Sequence, residues 1–490
     1  MARINTNVPS LIAQNNLGRT NGDLAVRLQR LSTGLRINRG ADDPAGLIVS
    51  ERLRSEMQGI NQAIDNSERA SSVIATAEGY LAEVADLLNS IKGLVVQAAN
   101  TGGVSDEEVE ANQLQIDSAI ESITRISNTA SFGGLQLLNG NLDYTTSGVV
   151  ATEIAGVQVD GAQFGSTGTM GVDVEVVQSA QTASLFIDGT TGTSGVLDDE
   201  VTVEIAGPKG VQSVSFASGT ALSSVATAIN SLTNTTGVSA TFVSSGAVTG
   251  VQVNSTDFGS DSFVSVKQIG TSSNDFDVLD AVGGTATQRD QGQDVSAIVN
   301  GVLAVGDGLE VSLKTPSLSL DLDLTEAFNT VSGTPSSFTI TGGGASFQLG
   351  PEVSAAQSAG VGIQSVAATR IGGTDVDGVR YFLESIKSGK DNALGSGNFA
   401  EASAVLENAI TEISVMRGRL GAFERNTLQT NVRSLQIGLE NITASESKIR
   451  DTDFASETAE LTRAQILNQA GTSVLATANS TAQNVLALLQ

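Results

Sequence analysis

Between Asp42 and Gly103 apolar residues recur at the spacing of a coiled-coil helix. Leu53, Ile60, Ser67, Ile74, Leu81, Leu88 and Val95 fall every seven residues, and a second line runs through Met57, Ile64 and Ser71, then Ala77, Val84, Ile91 and Ala98. Such a pattern predicts one long helix with a seam broken by a polar patch at Ser67 and Ser71. Asp42-Asp43-Pro44 marks its start and Gly102-Gly103 its end, giving a rod of roughly 90 Å at ~1.5 Å per residue. A second helix opens on the capping box Ser105-Asp-Glu-Glu108, continues through Val109, Asn112, Ile116, Ala119, Ile123 and Ile126, and closes at Phe132-Gly133-Gly134. Toward the other end of the chain, Ala402, Leu406, Ala409, Ile413, Met416, Leu420 and Phe423 alternate in steps of four and three. The line then resumes at Leu428, Val432, Leu435, Leu439 and Ile442. The five-residue step from Phe423 to Leu428 rotates the seam and predicts a change of packing partner along that helix.

Two outer stripes complete the helical pattern: Leu17, Leu24, Leu28, Leu31 and Leu35, and Leu467, Val474, Ala478, Val485 and Leu488. Neither helix buries its stripe alone, and the last 27 residues carry no charge, so many copies would have to bury this apolar surface together. The middle of the chain differs. It is rich in Gly, Ser, Thr and Val, and Ser317-Leu-Ser-Leu-Asp-Leu-Asp-Leu324 alternates with the period of a half-buried strand. The expected architecture is mostly α at the two ends, with long antiparallel helices in a coiled-coil rod, around a β-rich central insertion. Expected boundaries are 1–45, 46–140, 141–394 in one or two subdomains, 395–454 and 455–490.

Charge sharpens this division. The 490 residues hold 26 Lys+Arg against 53 Asp+Glu, net −27, and residues 141–394 supply −19 of it with 8 basic and 27 acidic side chains. The chain has no His, Cys or Trp, which excludes imidazole and thiol catalysis, disulfides and Cys/His zinc sites. Net acidity argues against nucleic acid or an anionic membrane as partner. The six Arg of residues 1–40, Arg3, Arg19, Arg27, Arg30, Arg36 and Arg39, read better as packing or export features than as a nucleic-acid arm. The start lacks the basic-then-apolar pattern of a secretory signal, and no stretch reads as a membrane-spanning helix. Asp275, Asp277, Asp280, Asp290 and Asp294 lack the glycine-punctuated spacing of a calcium loop. Thr341-Gly-Gly-Gly344 lacks the Lys of a phosphate cradle and reads as a turn. No cofactor, metal or catalytic constellation is expected.

Two runs carry a resemblance. Ala464-Gln-Ile-Leu-Asn-Gln-Ala-Gly-Thr-Ser-Val-Leu-Ala-Thr-Ala-Asn479 with Gln483-Asn-Val-Leu-Ala-Leu-Leu489, and Leu28-Gln-Arg-Leu-Ser-Thr-Gly-Leu-Arg-Ile-Asn38 with Asp42-Asp43 and Ala45-Gly46, closely resemble the terminal signatures of bacterial flagellin. Gln14-Asn-Asn-Leu17 and Gln97-Ala-Ala-Asn100 add to it. Ala228-Ile-Asn230 followed by Thr236-Gly-Val-Ser-Ala240 is similar to a small β-rich module of flagellin insertions.

The resemblance implies a structural subunit, not an enzyme, that is secreted through the flagellar export channel and polymerises into the extracellular filament used for swimming. It implies that the two outer stripes belong to inner-tube helices, with Asn38 to Ala45 as a spoke between tube and rod. Rod packing would fall to Leu53, Ile60, Ile74, Leu81, Leu88, Val95, Ile413, Met416, Leu420 and Phe423, and the acidic insertion would face outward. Implied partners are further copies, possible companion flagellins, the type III export apparatus and its chaperone, and the hook-junction and cap proteins. Asn89, Ser90, Lys92, Gly93 and Leu94 align with the stretch read by the vertebrate Toll-like receptor for flagellin. Ser90 and Gly93 stand where strong agonists have Arg and Glu, so weak recognition is expected. A hook-filament junction protein is the rival within the superfamily, and a glycosidase built on the acidic insertion the rival outside it.

Overall fold

The computed structural model describes residues 6–164, 168–188, 195–245, 248–270, 276–376 and 379–487. The chain forms two compact units, one of Met1–Ser72, Gln348–Val353 and Glu424–Gln490, the other of Val73–Phe347 and Ser354–Phe423.

The first unit is helical. Helix α1, Val8–Thr33, begins where the Asn7 side chain accepts the Ser10 amide and ends at Gly34, whose φ of 72° is the left-handed cap that glycine adopts without steric cost. Helix α2, Pro44–Ala98, begins in this unit; the Asp43 carboxylate accepts the Gly46 amide at 2.9 Å, and proline occupies a position whose N–H needs no partner. Ser50, Ile60, Ala63, Ser67 and Ala70 are its buried positions in this unit, with Leu53 and Met57 half-buried. Of the line expected through Met57, Ile64 and Ser71, Met57 keeps its place and the other two give way by one residue to Ala63 and Ala70, although Ile64 and Ser71 stay half-buried. Ser67 turns its hydroxyl back to the Ala63 carbonyl at 2.8 Å, which lets a polar residue occupy the seam.

In the second unit α2 continues with Ile74, Ala77, Leu81, Val84, Leu88, Ile91, Val95 and Ala98 all buried. Helix α3, Asp106–Thr129, has the expected capping box at Ser105 and Glu108 but stops before Phe132, and its buried face runs through Asn112, Gln113, Ile116, Ile120, Ile123 and Ser127. Gln113 is fixed by donating to the Ile386 carbonyl and accepting the Leu394 amide.

The insertion holds two cores of antiparallel sheet, the second inserted between strands of the first. In the first, strand Met170–Gln178 pairs with Ser296–Val299 and Ser336–Gly343, and a facing sheet contains Glu310–Lys314, Leu318–Leu324 and Ile154–Ala162. Leu318, Leu320, Leu322 and Leu324 all point into this core, as their alternation predicts. The second core lies between Ala183 and Val278, with strands Ser184–Asp188, Val201–Gly207, Gly210–Phe216, Val238–Ser245, Val248–Ser255 and Phe263–Ile269 and helix α4, Leu222–Asn230. The glycines after Thr341 serve packing: Gly344 has φ of 74°, and a Cβ there would lie 2.4 Å from the Tyr144 ring.

Helix α5, Phe399–Ala422, buries Ala402, Leu406, Ala409, Ile413, Met416 and Leu420, and its Glu407 meets Lys92 of α2 at 2.9 Å. Residues Phe423–Leu428 then form a π-helical turn before helix α6, Gln429–Arg450. This wider turn accounts for the five-residue step in the apolar line, because one added residue rephases the stripe without breaking the helix. Phe423 is half-buried beside Phe347, ring centroids 6.3 Å apart.

Candidate assembly surface

In the first unit α1 packs antiparallel on helix α7, Phe454–Ala487. The pair is fastened along its length: Asn7 donates to the Ala478 carbonyl at 3.0 Å, Ser10 to Asn479 at 2.8 Å, and Asn468 to Asn21. At the opposite end the Arg36 amide donates to the Arg450 carbonyl at 2.7 Å and that of Thr452 to Gly34 at 2.9 Å. Arg27 donates to both oxygens of the Glu457 carboxylate at 3.1 Å, and Arg30 approaches it at 4.0 Å. Glu457 is buried, so its charge stands on these guanidiniums.

The apolar residues of α7 divide between an inward and an outward side. On α7 the small residues Ala464, Gly471 and Ala478, seven residues apart, are turned inward together with half-buried Leu461, Asn468 and Leu475, and Gly471 lies under Leu17, where a Cβ would sit 3.1 Å from the leucine methyl. Leu467 and Val474 instead remain 52% and 58% exposed, and Leu28 of α1 is 50% exposed. Within the expected stripes, Leu17, Leu24, Leu31, Leu35 and Ala478 are half-buried, whereas Leu28, Leu467 and Val474 point outward. Arg27 takes the inward place next to Leu24 that Leu28 would otherwise occupy. Val8, Leu11, Ile12, Val26, Phe454 and Ile466 are also exposed. A groove of about 410 Å³ runs beside the pair, lined by Ala13, Leu17, Leu467, Gly471 and Val474 among others. Val485 and Leu488 lie outside the residues whose side chains are described. Sequence periodicity locates these helices but misses Glu457, which nothing in the sequence distinguishes from neighbouring Asp451, Asp453 and Glu460.

Ile37 is fully buried in the connection from α1 to α2, and Asp42 accepts the amides of Asn38 and Arg39 at 3.0 and 2.8 Å. Those backbone hydrogen bonds hold its carboxyl below the usual range. Farther along this unit Asn431 of α6 donates to Ser67 at 3.2 Å and to the Leu349 carbonyl at 2.8 Å. Segment Gln348–Val353 is seated at Gly59, where a Cβ would stand 2.9 Å from Pro351. Leu53 is half-buried.

In the second unit the expected rod residues Ile74, Leu81, Leu88, Val95, Ile413, Met416 and Leu420 are buried. Asn89, Ser90 and Gly93 are exposed, Leu94 is half-buried, and Lys92 is held by Glu407. Arg419 donates to the Gly362 carbonyl at 2.9 Å and contacts buried Asp160, which Lys314 also meets at 3.0 Å. Burial lowers the Arg419 pKa and raises those of Asp143, Tyr144 and Glu412. Of the acids that lack calcium-loop spacing, Asp280 accepts from Thr285 and Asp294 from Ser260 and Gly308, bonds that lower both carboxyls, while Asp290 accepts the Ser184 amide and Asp277 lies in a strand. Asp275 lies outside the described residues. Among those described, no three acidic side chains converge on a common metal position, and no helix is long and apolar enough to cross a membrane.

Residues 4–143 match the bacterial flagellin N-terminal helical region and residues 404–489 its C-terminal helical region. A B-type flagellin of Pseudomonas aeruginosa is 30% identical across 99% of both chains. The chain belongs to the bacterial flagellin family. As such it is a subunit of the flagellar filament, in a family of structural proteins. Flagellin of Salmonella typhimurium is 28% identical over 99% of each chain, and flagellin B of Helicobacter pylori 27% over 100% of this chain and 99% of its own. Residues 202–257, in the second β core, match the flagellin hook IN motif. Among solved structures, FliC of Burkholderia pseudomallei aligns with 74% of this chain and 99% of its own, at 15% identity and a TM-score of 0.25.

Proposed function

We propose that this flagellin assembles by burying the outward apolar faces of α1 and α7 between copies, Leu28, Leu467 and Val474 among them, with Leu17, Leu24, Leu31, Leu35 and Ala478 holding each copy's pair together. The supporting observation is the apolar surface left open on α7: Leu461 and Leu475 are half-buried with Ala464, Gly471 and Ala478, while Ile466, Leu467 and Val474 face solvent, an exposure unfavourable for a lone subunit and favourable once neighbours cover it. Val485 and Leu488 extend the same role. Growth by one repeated, non-closing contact gives a helical polymer.

In this reading residues 1–45 and 455–490 line the tube, 46–140 and 395–454 form the rod and its packing, and 141–394 lies at the filament surface, where its acidity keeps filaments apart. The subunit leaves the cell through the flagellar type III export apparatus, accompanied by a chaperone, and meets hook-junction proteins at its base and cap proteins at its tip. Swimming follows from rotation of the assembled filament. Removing Leu467–Gln490 tests this assignment. The truncated chain should remain helical by circular dichroism yet form no filaments by electron microscopy after seeding, and filaments grown from it would overturn the role of α7.

A further inference from the structure

The first unit contains a single aromatic residue, Phe454, and it is 56% exposed. Aromatic side chains are the class most enriched at the energetic centres of protein interfaces. Phe454 is also firmly held. It opens α7 directly after Asp453, whose carboxylate caps the helix by accepting the Ala455 and Ser456 amides at 2.9 and 3.3 Å. Its ring tip lies beside Gly34, where a Cβ would stand 3.9 Å from Cζ. The ring therefore projects from a fixed base and has little freedom left to lose on contact.

The same unit offers a seat for such a ring. The groove of about 410 Å³ beside α1 and α7 is walled by Leu17, Leu467, Ala470 and Val474 and includes the exposed Arg19. Leu467, Ala470 and Val474 are open to solvent, so a partner can touch them. A cavity of about 150 Å³ admits benzene, and one phenyl ring fits here with room for its approach. The apolar walls accept the body of a ring, and a guanidinium over its face adds a cation–π attraction. An aliphatic side chain would gain only the first, and a carboxylate would lose its hydration to the walls. Phe454 cannot fill the groove of its own copy. Thirteen to twenty residues of one continuous helix separate it from Leu467 and Val474, a span of about 20–30 Å at ~1.5 Å per residue.

We infer that Phe454 of one copy seats in the α1–α7 groove of a second copy, displaced by about 20–30 Å along the helix axis, with its ring against Leu467, Ala470 and Val474 and facing Arg19. This inference rests on the burial of α1 and α7 between copies proposed above, and specifies which residues meet. Ring and groove occupy different parts of the subunit, so every copy presents one of each and the series of contacts stays open. Replacing Phe454 by the photocrosslinker p-benzoylphenylalanine tests it, in filaments seeded from a mixture with isotope-labelled unaltered chain. Expected are crosslinks from position 454 to labelled peptides that contain Leu17 or Leu467–Val474. Critical concentrations supply an arm free of the crosslinker. Arg19→Gln should raise that of the full chain about two- to fivefold, the worth of an exposed cation–π contact, and Phe454→Ala about tenfold or more. Added to Phe454→Ala, Arg19→Gln should have no further effect, because it acts through the ring. Crosslinks to labelled chain confined to other segments, or losses that multiply in the double variant, would overturn the inference. If replacing Leu467 and Val474 by serine still raises the critical concentration, only the seat of Phe454 falls; if it does not, the burial of α7 between copies falls with it.

Discussion

Replacing Leu467 and Val474 together by serine separates folding from assembly. Both side chains are slightly more than half exposed in the single chain, so the substitution also removes the half already buried and should lower subunit stability by up to about 1.5–3 kcal/mol. In a filament the same surface is covered. Burying a whole leucine or valine contributes about 1.5–3 kcal/mol, and with roughly half of each side chain left to bury, the pair is worth about 1.5–3 kcal/mol per subunit. At about 1.4 kcal/mol per factor of ten, the critical concentration for seeded growth should rise about ten- to hundredfold. Sedimentation of filaments at a series of total protein concentrations reads this directly, with a thermal melt of the unpolymerised variant as the folding control. A critical concentration within twofold of the unaltered chain, measured below the variant's melt, would refute the argument that α7 presents Leu467 and Val474 for burial between copies.

Glu457→Ala should reduce hydrogen-exchange protection of α1 by about 2 kcal/mol, toward the low side for a broken buried pair because Arg27 keeps partial access to water; unchanged protection would contradict the pairing role. Glu310 lies cross-strand from both Asp307 and Asp323, and burial together with these acids raises its pKa. Its protonated form therefore favours the fold, and that stability, complete below the unfolded pKa, is lost as pH rises through the folded value. Glu310→Gln should raise neutral-pH stability by about 0.5 kcal/mol in denaturant titrations, with no gain below pH ~4; equal gains at both pH values would contradict this. Deleting residues 141–394 with a short linker should preserve thinner, less acidic filaments under the electron microscope, and failure to polymerise would count against an outer insertion. Monomer applied to a Toll-like-receptor reporter line should signal weakly, since exposed Ser90 and Gly93 provide no charged contact; signalling equal to an enteric flagellin would refute this.

The heptad line of α2, the Ser105 capping box and the alternation at Leu318–Leu324 were legible in the chain because each depends on residues a few positions apart. Even the π turn at Phe423–Leu428 was visible as a five-residue step, since a helix must absorb an extra residue somewhere along its stripe. The acidic middle and the terminal signatures likewise needed no coordinates.

Which stripe of α7 faces α1 was a different kind of question. Leu467 and Val474 form as good a line as Ala464, Gly471 and Ala478, and only the volume of Leu17 across the interface decides that Gly471 belongs beneath it. Glu457 acquires its role from Arg27, 430 positions away, and Gly59 from Pro351. The two β cores are joined through Gln181 and Gln293, whose hydrogen bonds cross more than a hundred residues of chain. Local periodicity determined the elements; packing volume and long-range pairing, which no short window contains, decided which faces meet and which remain open.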